Sequence, residues 1–175
     1  MTTEQIAEYL QLKPVTVRRK ATRGEIPAIR IGKQFRFDKG KVDRWLFERR
    51  TGKPAHVLVV DDEPPVVEVI RDILEANGYQ VTATLYSSEA LELIKRRHFD
   101  LVFLDLVMPD VDGAELFKYI READKDLPVV IVTAYPDSQL MEKAMEHGPF
   151  LIIRKPFVIE DILEVMRGFN RSAGK

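Results

Sequence analysis

Five short apolar runs, separated by segments with helical periodicity, restrict the possible folds of this chain more than any other feature. They are VLVV (57–60), VTATL (81–85), LVFL (101–104), VVIV (129–132) and LII (151–153). Between and after them Val66, Ile70, Ile73 and Leu74 fall on one helical face, as do Ile159, Ile162, Leu163, Met166 and Phe169. Strand-length runs alternating with amphipathic helices build a parallel sheet with crossover helices. Because the runs other than VTATL are continuously apolar, the sheet is expected to be covered on both faces.

Four of these runs end in polar residues where a buried strand should surface. VLVV leads to Asp61-Asp62-Glu63, LVFL to Asp105, VVIV to Thr133, and LIIR to Lys155. Ligands of open α/β sheets bind outside the carboxyl ends of the strands, and a 2-1-3-4-5 strand order would bring these four ends together. Asp105 is the most demanding of them. Four apolar residues precede it and Leu106, Val107 and Met108 follow, a setting in which an unpaired carboxylate costs several kcal/mol.

Asp61, Asp62 and Asp105 crowded together repel, and one pKa rises unless a cation intervenes. An all-oxygen donor set suits a hard ion, and carboxylates with waters and a phosphate suit Mg²⁺. Lys155 brings positive charge and Thr133 a hydroxyl, both apt for phosphoryl oxygens. An aspartate can then act as nucleophile and form an aspartyl phosphate. Haloacid-dehalogenase-like phosphatases also start from a strand-end aspartate, but their second aspartate two residues on is replaced here by Val107. Enzymatic turnover is therefore disfavoured.

The amino-terminal third differs in charge and pattern. Residues 1–53 hold 14 Lys and Arg against 6 Asp and Glu, a net +8, which leaves −9 for the remainder. Such a split suggests a nucleic-acid-binding piece joined to an acidic one. TGKPAH (51–56) marks the boundary, since Gly52 and Pro54 interrupt local structure where the charge changes sign. Thr2-x-x-Gln5 predicts a capping box before Ile6, Tyr9 and Leu10. Pro14 suits the first position of a second helix that Gly24 ends. AIRIGKQFRF (28–37) alternates around Gly32-Lys33 like a hairpin, and Asp38 caps a last helix carrying Val42, Trp45 and Leu46 inward.

With no cysteine there is neither a disulfide nor a thiolate site; MTTEQIAEYL has no basic and apolar regions of the secretory kind and no apolar stretch reaches membrane length, so a cytoplasmic location is expected. His56, His98 and His147 lack metal spacing and are expected to be solvated or capping.

VLVVDDEP, LVFLDLVMPDVDG, VVIVTA and KPF, in that order, make residues 56–172 resemble a response-regulator receiver domain. The resemblance implies a flavodoxin-like α/β fold, a five-stranded parallel sheet in the order 2-1-3-4-5 with helices on both faces. It implies Asp105 as phosphoacceptor, with a histidine kinase or phosphorelay protein as donor. Mg²⁺ would be bound by Asp62 directly, by Asp61 directly or through water, by Asp105 and by the main-chain carbonyl of Val107. Thr133 would contact the phosphoryl group, Lys155 would be the cation, and Pro156 would follow a cis peptide. The Met108-Pro109 and Asp112-Gly113 pairs would shape the loop after Asp105. A protein of this kind catalyses only its own phosphorylation and dephosphorylation, and dimerises on phosphorylation through its fourth helix, fifth strand and fifth helix.

Three positions depart from that family, in two respects. Ile152 stands where an aromatic switch residue is usual, so switching would fall to Thr133 with Ile152 itself or Tyr135; Phe150 suits core packing better. Val107 and Tyr135 occupy places where polar groups often position hydrolytic water, which implies a long-lived phosphoryl group.

Residues 1–50 resemble the excisionase-type, MerR-like winged helix-turn-helix, most clearly in GEIPAIRIGKQFRF. A helix bearing Lys13, Thr16, Arg18, Arg19 and Arg23 could enter the major groove of double-stranded DNA. Arg30, Lys33, Gln34 and Arg36 of the hairpin could follow the adjacent backbone or minor groove, while Val17 and Ala21 face the core. The alternative is an adaptor whose winged helix binds a protein; the +8 charge argues against it.

Overall fold

The computed structural model describes residues 1–109 and 112–172, which divide into two compact units. One comprises Met1–Lys53 with the end of the last helix from Met166; the other comprises Pro54–Val165.

In the first unit α1 (Thr3–Tyr9), α2 (Pro14–Thr22), the hairpin β1 (Ile29–Ile31) and β2 (Gln34–Arg36), and α3 (Lys39–Thr51) follow one another. Local chemistry sets each boundary. Thr2 and Gln5 form the reciprocal capping box of α1, Pro14 opens α2, and Asp38 caps α3 through the Lys41 N–H. Gly32, at φ 61°, supplies the left-handed residue of the tight hairpin turn. Ile6, Ala7, Val17, Ala21, Ile26, Phe37 and Val42 close the core. On α3 Val42 is buried and Trp45 packs on the core, as expected, but Leu46 does not turn inward. Leu46 is exposed and Asp43 is turned inside, at 1% exposure, because Tyr9 Oη donates to its carboxylate and Lys39 Nζ lies 3.0 Å from it. Phe47 packs against Phe169, with ring centroids 5.4 Å apart.

The second unit is a parallel sheet of β3 (His56–Val60), β4 (Gln80–Thr84), β5 (Leu101–Asp105), β6 (Val129–Thr133) and β7 (Leu151–Arg154). Its strands are ordered β4-β3-β5-β6-β7, which is the expected 2-1-3-4-5. The intervening helices are α4 (Pro64–Ala76), α5 (Ser87–Arg96), α6 (Gly113–Ala123) and α7 (Gln139–Met145), and α8 (Ile159–Ser172) follows β7. Coverage on both faces holds for β5 and β6, which are buried throughout. It fails at β7, where Leu151 and Ile152 are each 41% exposed, because β7 is an edge strand paired only with β6. His56 is not a solvated linker residue. It starts β3 with its ring against Phe99, and its Nε2 is 2.8 Å from Thr82 Oγ1. Among the described residues, no helix is long and apolar enough to cross a membrane.

The buried Asp43 leads to a test within the first unit. Tyr9→Phe removes the hydroxyl donor and leaves a buried carboxylate oxygen short of a partner, a loss of about 1–3 kcal/mol. Denaturant melts of the full chain should show this as a lower midpoint for the amino-terminal unit, with the second unit unaffected.

Candidate functional site

The register of the sheet places Asp105 as the last residue of β5 and Thr133 as the last of β6, with Lys155 directly after β7. Asp105 is at a strand end, as expected, yet it is only 5% exposed. Its Oδ1 accepts the Val107 N–H at 3.0 Å and its Oδ2 accepts Lys155 Nζ at 2.6 Å. The same ammonium lies 2.7 Å from Asp61 Oδ2 and 2.8 Å from Glu63 Oε1, so one cation serves three carboxylates. Its backbone N–H donates to the Thr133 carbonyl at 2.9 Å, and a cis peptide joins it to Pro156.

The electrostatics follow from this crowding. Three carboxylates, those of Asp61 and Asp105 buried and that of Glu63 58% exposed, share one ammonium, so formal negative charge exceeds positive charge by two. Burial lifts Asp61 from 3.8 to about 6; Lys155 and the Glu63 N–H oppose the rise, and the Asp105 charge adds only a smaller push. The expected rise through carboxylate repulsion is thus chiefly a desolvation effect. For Lys155, burial disfavours the charged form, but the adjoining carboxylates of Asp105, Asp61 and Glu63 outweigh it and raise its pKa.

The donor set fits a hard cation. Oxygens of Asp61, Glu63 and Asp105 lie within 4.8 Å of one another. Asp61 Oδ2 is fully buried, and the nearby Lys155 Nζ lacks the angles of a hydrogen bond, which leaves that oxygen with unused acceptor capacity. Asp62, half-buried, is not among the three gathered carboxylates. Glu63 is, although sequence reasoning gave it no role; its signal was its place as the third acid of DDE, at the N-cap of α4. Thr133 is fully buried and its Oγ1 accepts the Tyr135 N–H at 3.0 Å.

Loop shape beyond Asp105 depends on close backbone approach. A Cβ on Gly113 would stand 2.3 Å from the Asp105 carbonyl oxygen and 2.6 Å from Leu106 Cα, so no other side chain fits. Asp112 caps α6 by accepting the Ala114 and Glu115 N–H groups. The middle of MPDVDG, residues 110–111, lies outside the described residues, as does the tail 173–175. Val107 is 41% and Tyr135 62% exposed, and Ile152 lies on the outer edge of β7.

A receiver model matches residues 57–167 and a helix-turn-helix model residues 1–50. This chain belongs to the response-regulator receiver family. It is 36% identical to the response regulator MprA of Mycobacterium sp. (strain KMS) over 118 residues, covering 67% of this chain and 51% of that protein. It is 28% identical over 113 residues to sporulation initiation phosphotransferase F of Bacillus subtilis, covering 65% of this chain and 91% of that protein. The chain thus spans about half the length of MprA. Among solved structures, a CheY-like receiver domain protein from Methanospirillum hungatei is similar over 69% of this chain and 97% of its own, at TM-score 0.66 and 26% identity. The beryllofluoride-activated NtrC4 receiver domain dimer is similar over 67% of this chain and 98% of its own, at TM-score 0.62 and 31% identity.

In the helix-turn-helix domain the expected DNA contacts are solvent-facing. Lys13, Arg18, Arg19, Arg23, Arg30, Lys33, Gln34 and Arg36 are exposed and Thr16 is half-buried, while Val17 and Ala21 are in the core. Arg18, Lys33, Gln34 and Arg36 line one cleft, so the exposed side of α2 and the hairpin are contiguous. Glu4 enters that cleft and lies 3.3 Å from the Arg18 guanidinium.

The raised Asp61 pKa fixes the sign of a pH effect. A carboxyl whose pKa rises from 3.8 to about 6 on folding binds its proton more tightly in the native state, so its contribution to stability falls as pH rises through that interval. Asp61→Asn, which cannot ionise, should raise the metal-free Tm relative to wild type at pH values above about 6, with the gain shrinking towards pH about 4. Melting curves of both proteins in a chelating buffer across this range provide the measurement; a gain independent of pH would contradict the assignment.

Proposed function

We propose that this protein is a two-component response regulator in which a phosphoryl group on Asp105 controls DNA binding by the amino-terminal winged helix, and thereby transcription. The carrying observation is the Lys155 ammonium 2.6 Å from Asp105 Oδ2 at the end of the central strand. A buried carboxylate held there is a fixed nucleophile whose added charge has a counterion already in place. The helix-turn-helix match at residues 1–50 and the +8 charge of residues 1–53 support DNA as the partner. One mycobacterial relative, 32% identical over 126 residues, is named a probable transcriptional regulatory protein.

In this reading an Asp105 oxygen attacks the phosphorus of a phosphohistidine in a kinase or phosphorelay protein. The new O–P bond forms as the donor's N–P bond breaks, and the imidazole leaves with that electron pair and takes up a proton. Mg²⁺ would be held by Asp61, Asp105 and the Val107 carbonyl, with Asp62 joining them by a side-chain movement, and would supply charge neutralisation for the phosphoryl oxygens. Lys155 keeps its ion pair with the modified side chain. Thr133 Oγ1, which accepts the Tyr135 N–H, would donate its own proton to a phosphoryl oxygen, and its movement towards that oxygen would bias the loop carrying the exposed Tyr135. Thr133, Tyr135 and Ile152 together then serve as the switch in place of a buried aromatic. Met145 on α7 and Leu151 and Ile152 on β7 are exposed and apolar, which supports homodimerisation through the face of α7, β7 and α8. The protein works in the cytoplasm and turns over no external substrate.

Incubation with acetyl phosphate and Mg²⁺ should place about one phosphoryl group on each wild-type chain and none on Asp105→Asn, read by intact mass, and should change wild-type affinity for duplex DNA. Equal labelling of both proteins would reject the acceptor; labelling without any change in DNA affinity or oligomeric state would reject the switch. The Val107 side chain offers no hydrogen bond to an attacking water. Val107→Asn should therefore shorten the phosphoryl half-life several-fold in a dephosphorylation time course, and an unchanged or longer half-life would count against the long-lived state.

A further inference from the structure

The hairpin of the winged helix has two dissimilar faces. In the β1–β2 register Arg30 is opposite Phe35, and Phe35 packs on the core of the unit. Ile29 is opposite Arg36 and Ile31 opposite Gln34, so these four side chains share the other face. On it Ile29 is 57% and Ile31 61% exposed, and Arg36 Nη2 donates to Gln34 Oε1 at 2.8 Å. Single exposed apolar residues are ordinary, but two β-branched isoleucines adjoining on a three-residue strand form a patch.

Charge selects what covers it. From Pro27 to Phe37 the chain carries Arg30, Lys33 and Arg36 and no acidic residue. A second copy of the same face would bring like charges together. Duplex DNA offers phosphates for the cations and, along the walls of its minor groove, apolar deoxyribose edges for the isoleucines. Arg36 and Gln34 also line the cleft that holds Arg18 of α2, so the patch continues the surface assigned to DNA.

We propose that Ile29 and Ile31 are DNA-binding residues that pack against the sugar walls of the minor groove, with Arg36 and Gln34 beside them reaching phosphate and base-edge acceptors. This assignment rests on the DNA-binding reading above and adds an apolar, salt-independent component to it. Apolar contacts release no counterions, whereas each phosphate-bound cation does. The two kinds of contact therefore separate in a salt titration.

Fluorescence anisotropy of the full chain on a labelled mixed-sequence duplex, repeated across NaCl concentrations, tests the proposal. Ile29→Thr/Ile31→Thr keeps the β-branched shape and should weaken binding by about tenfold at every salt concentration without changing the log–log slope. Ile29→Val/Ile31→Val, which stays apolar, should bind within about threefold of wild type. Arg36→Ala should instead flatten the slope by about one. Equal affinity of the threonine variant and wild type, with both folded by circular dichroism, would overturn the role of the isoleucines while leaving DNA binding intact. Absence of salt-dependent binding by wild type would overturn the DNA reading and the isoleucine role with it.

Discussion

One lysine ammonium determines how the acidic end of the receiver sheet is organised. Lys155, with its side chain 10% exposed, lies within 2.8 Å of carboxylate oxygens from Asp61, Glu63 and Asp105. Without it the buried carboxylates of Asp61 and Asp105 would face each other, with the exposed Glu63 beside them, and the cheapest relief would be protonation or separation of the strand ends. With it, the excess negative charge is reduced but not cancelled. That residual charge, together with the buried acceptor oxygen of Asp61, makes the site receptive to a hard cation.

Geometry around this point is fixed by groups that do no chemistry. Parallel pairing of β3, β5, β6 and β7 aligns the strand ends, and the buried side chains of β5 and β6 hold that alignment from both faces. The lack of room for a Cβ at Gly113 lets the start of α6 close on the backbone of Asp105 and Leu106. A carboxylate, a cation and a hydroxyl are therefore presented by rigid strand ends, while exposed residues such as Tyr135 are left to respond.

Much of this was legible in the sequence because its signals are short-range. Capping by Thr2 and Asp38, the break at Gly32, the five apolar runs and the polar residue ending each of four of them depend on neighbours a few positions away. Where those signals misled, a distant partner had intervened. Leu46 has an apolar side chain at a plausible helical position, but it is exposed, and Asp43 is buried beside Val42 instead because Tyr9 satisfies it from another helix. Leu151 and Ile152 form an apolar run indistinguishable from the central strands, yet their strand has a neighbour on one side only.

The sequence by itself determined the order of the elements, the charge division between the two parts, and Asp105 as the one carboxylate set inside an apolar run. Only the tertiary structure decided which acids share the cation. Glu63 and Asp105 are 92 and 50 residues from Lys155 along the chain, and Glu63, not its neighbour Asp62, reaches the ammonium. Local pattern specifies which face of a strand or helix is buried. The distance between a cation and an acid on separate strands is set by strand order and register, which depend on the packing of the whole sheet.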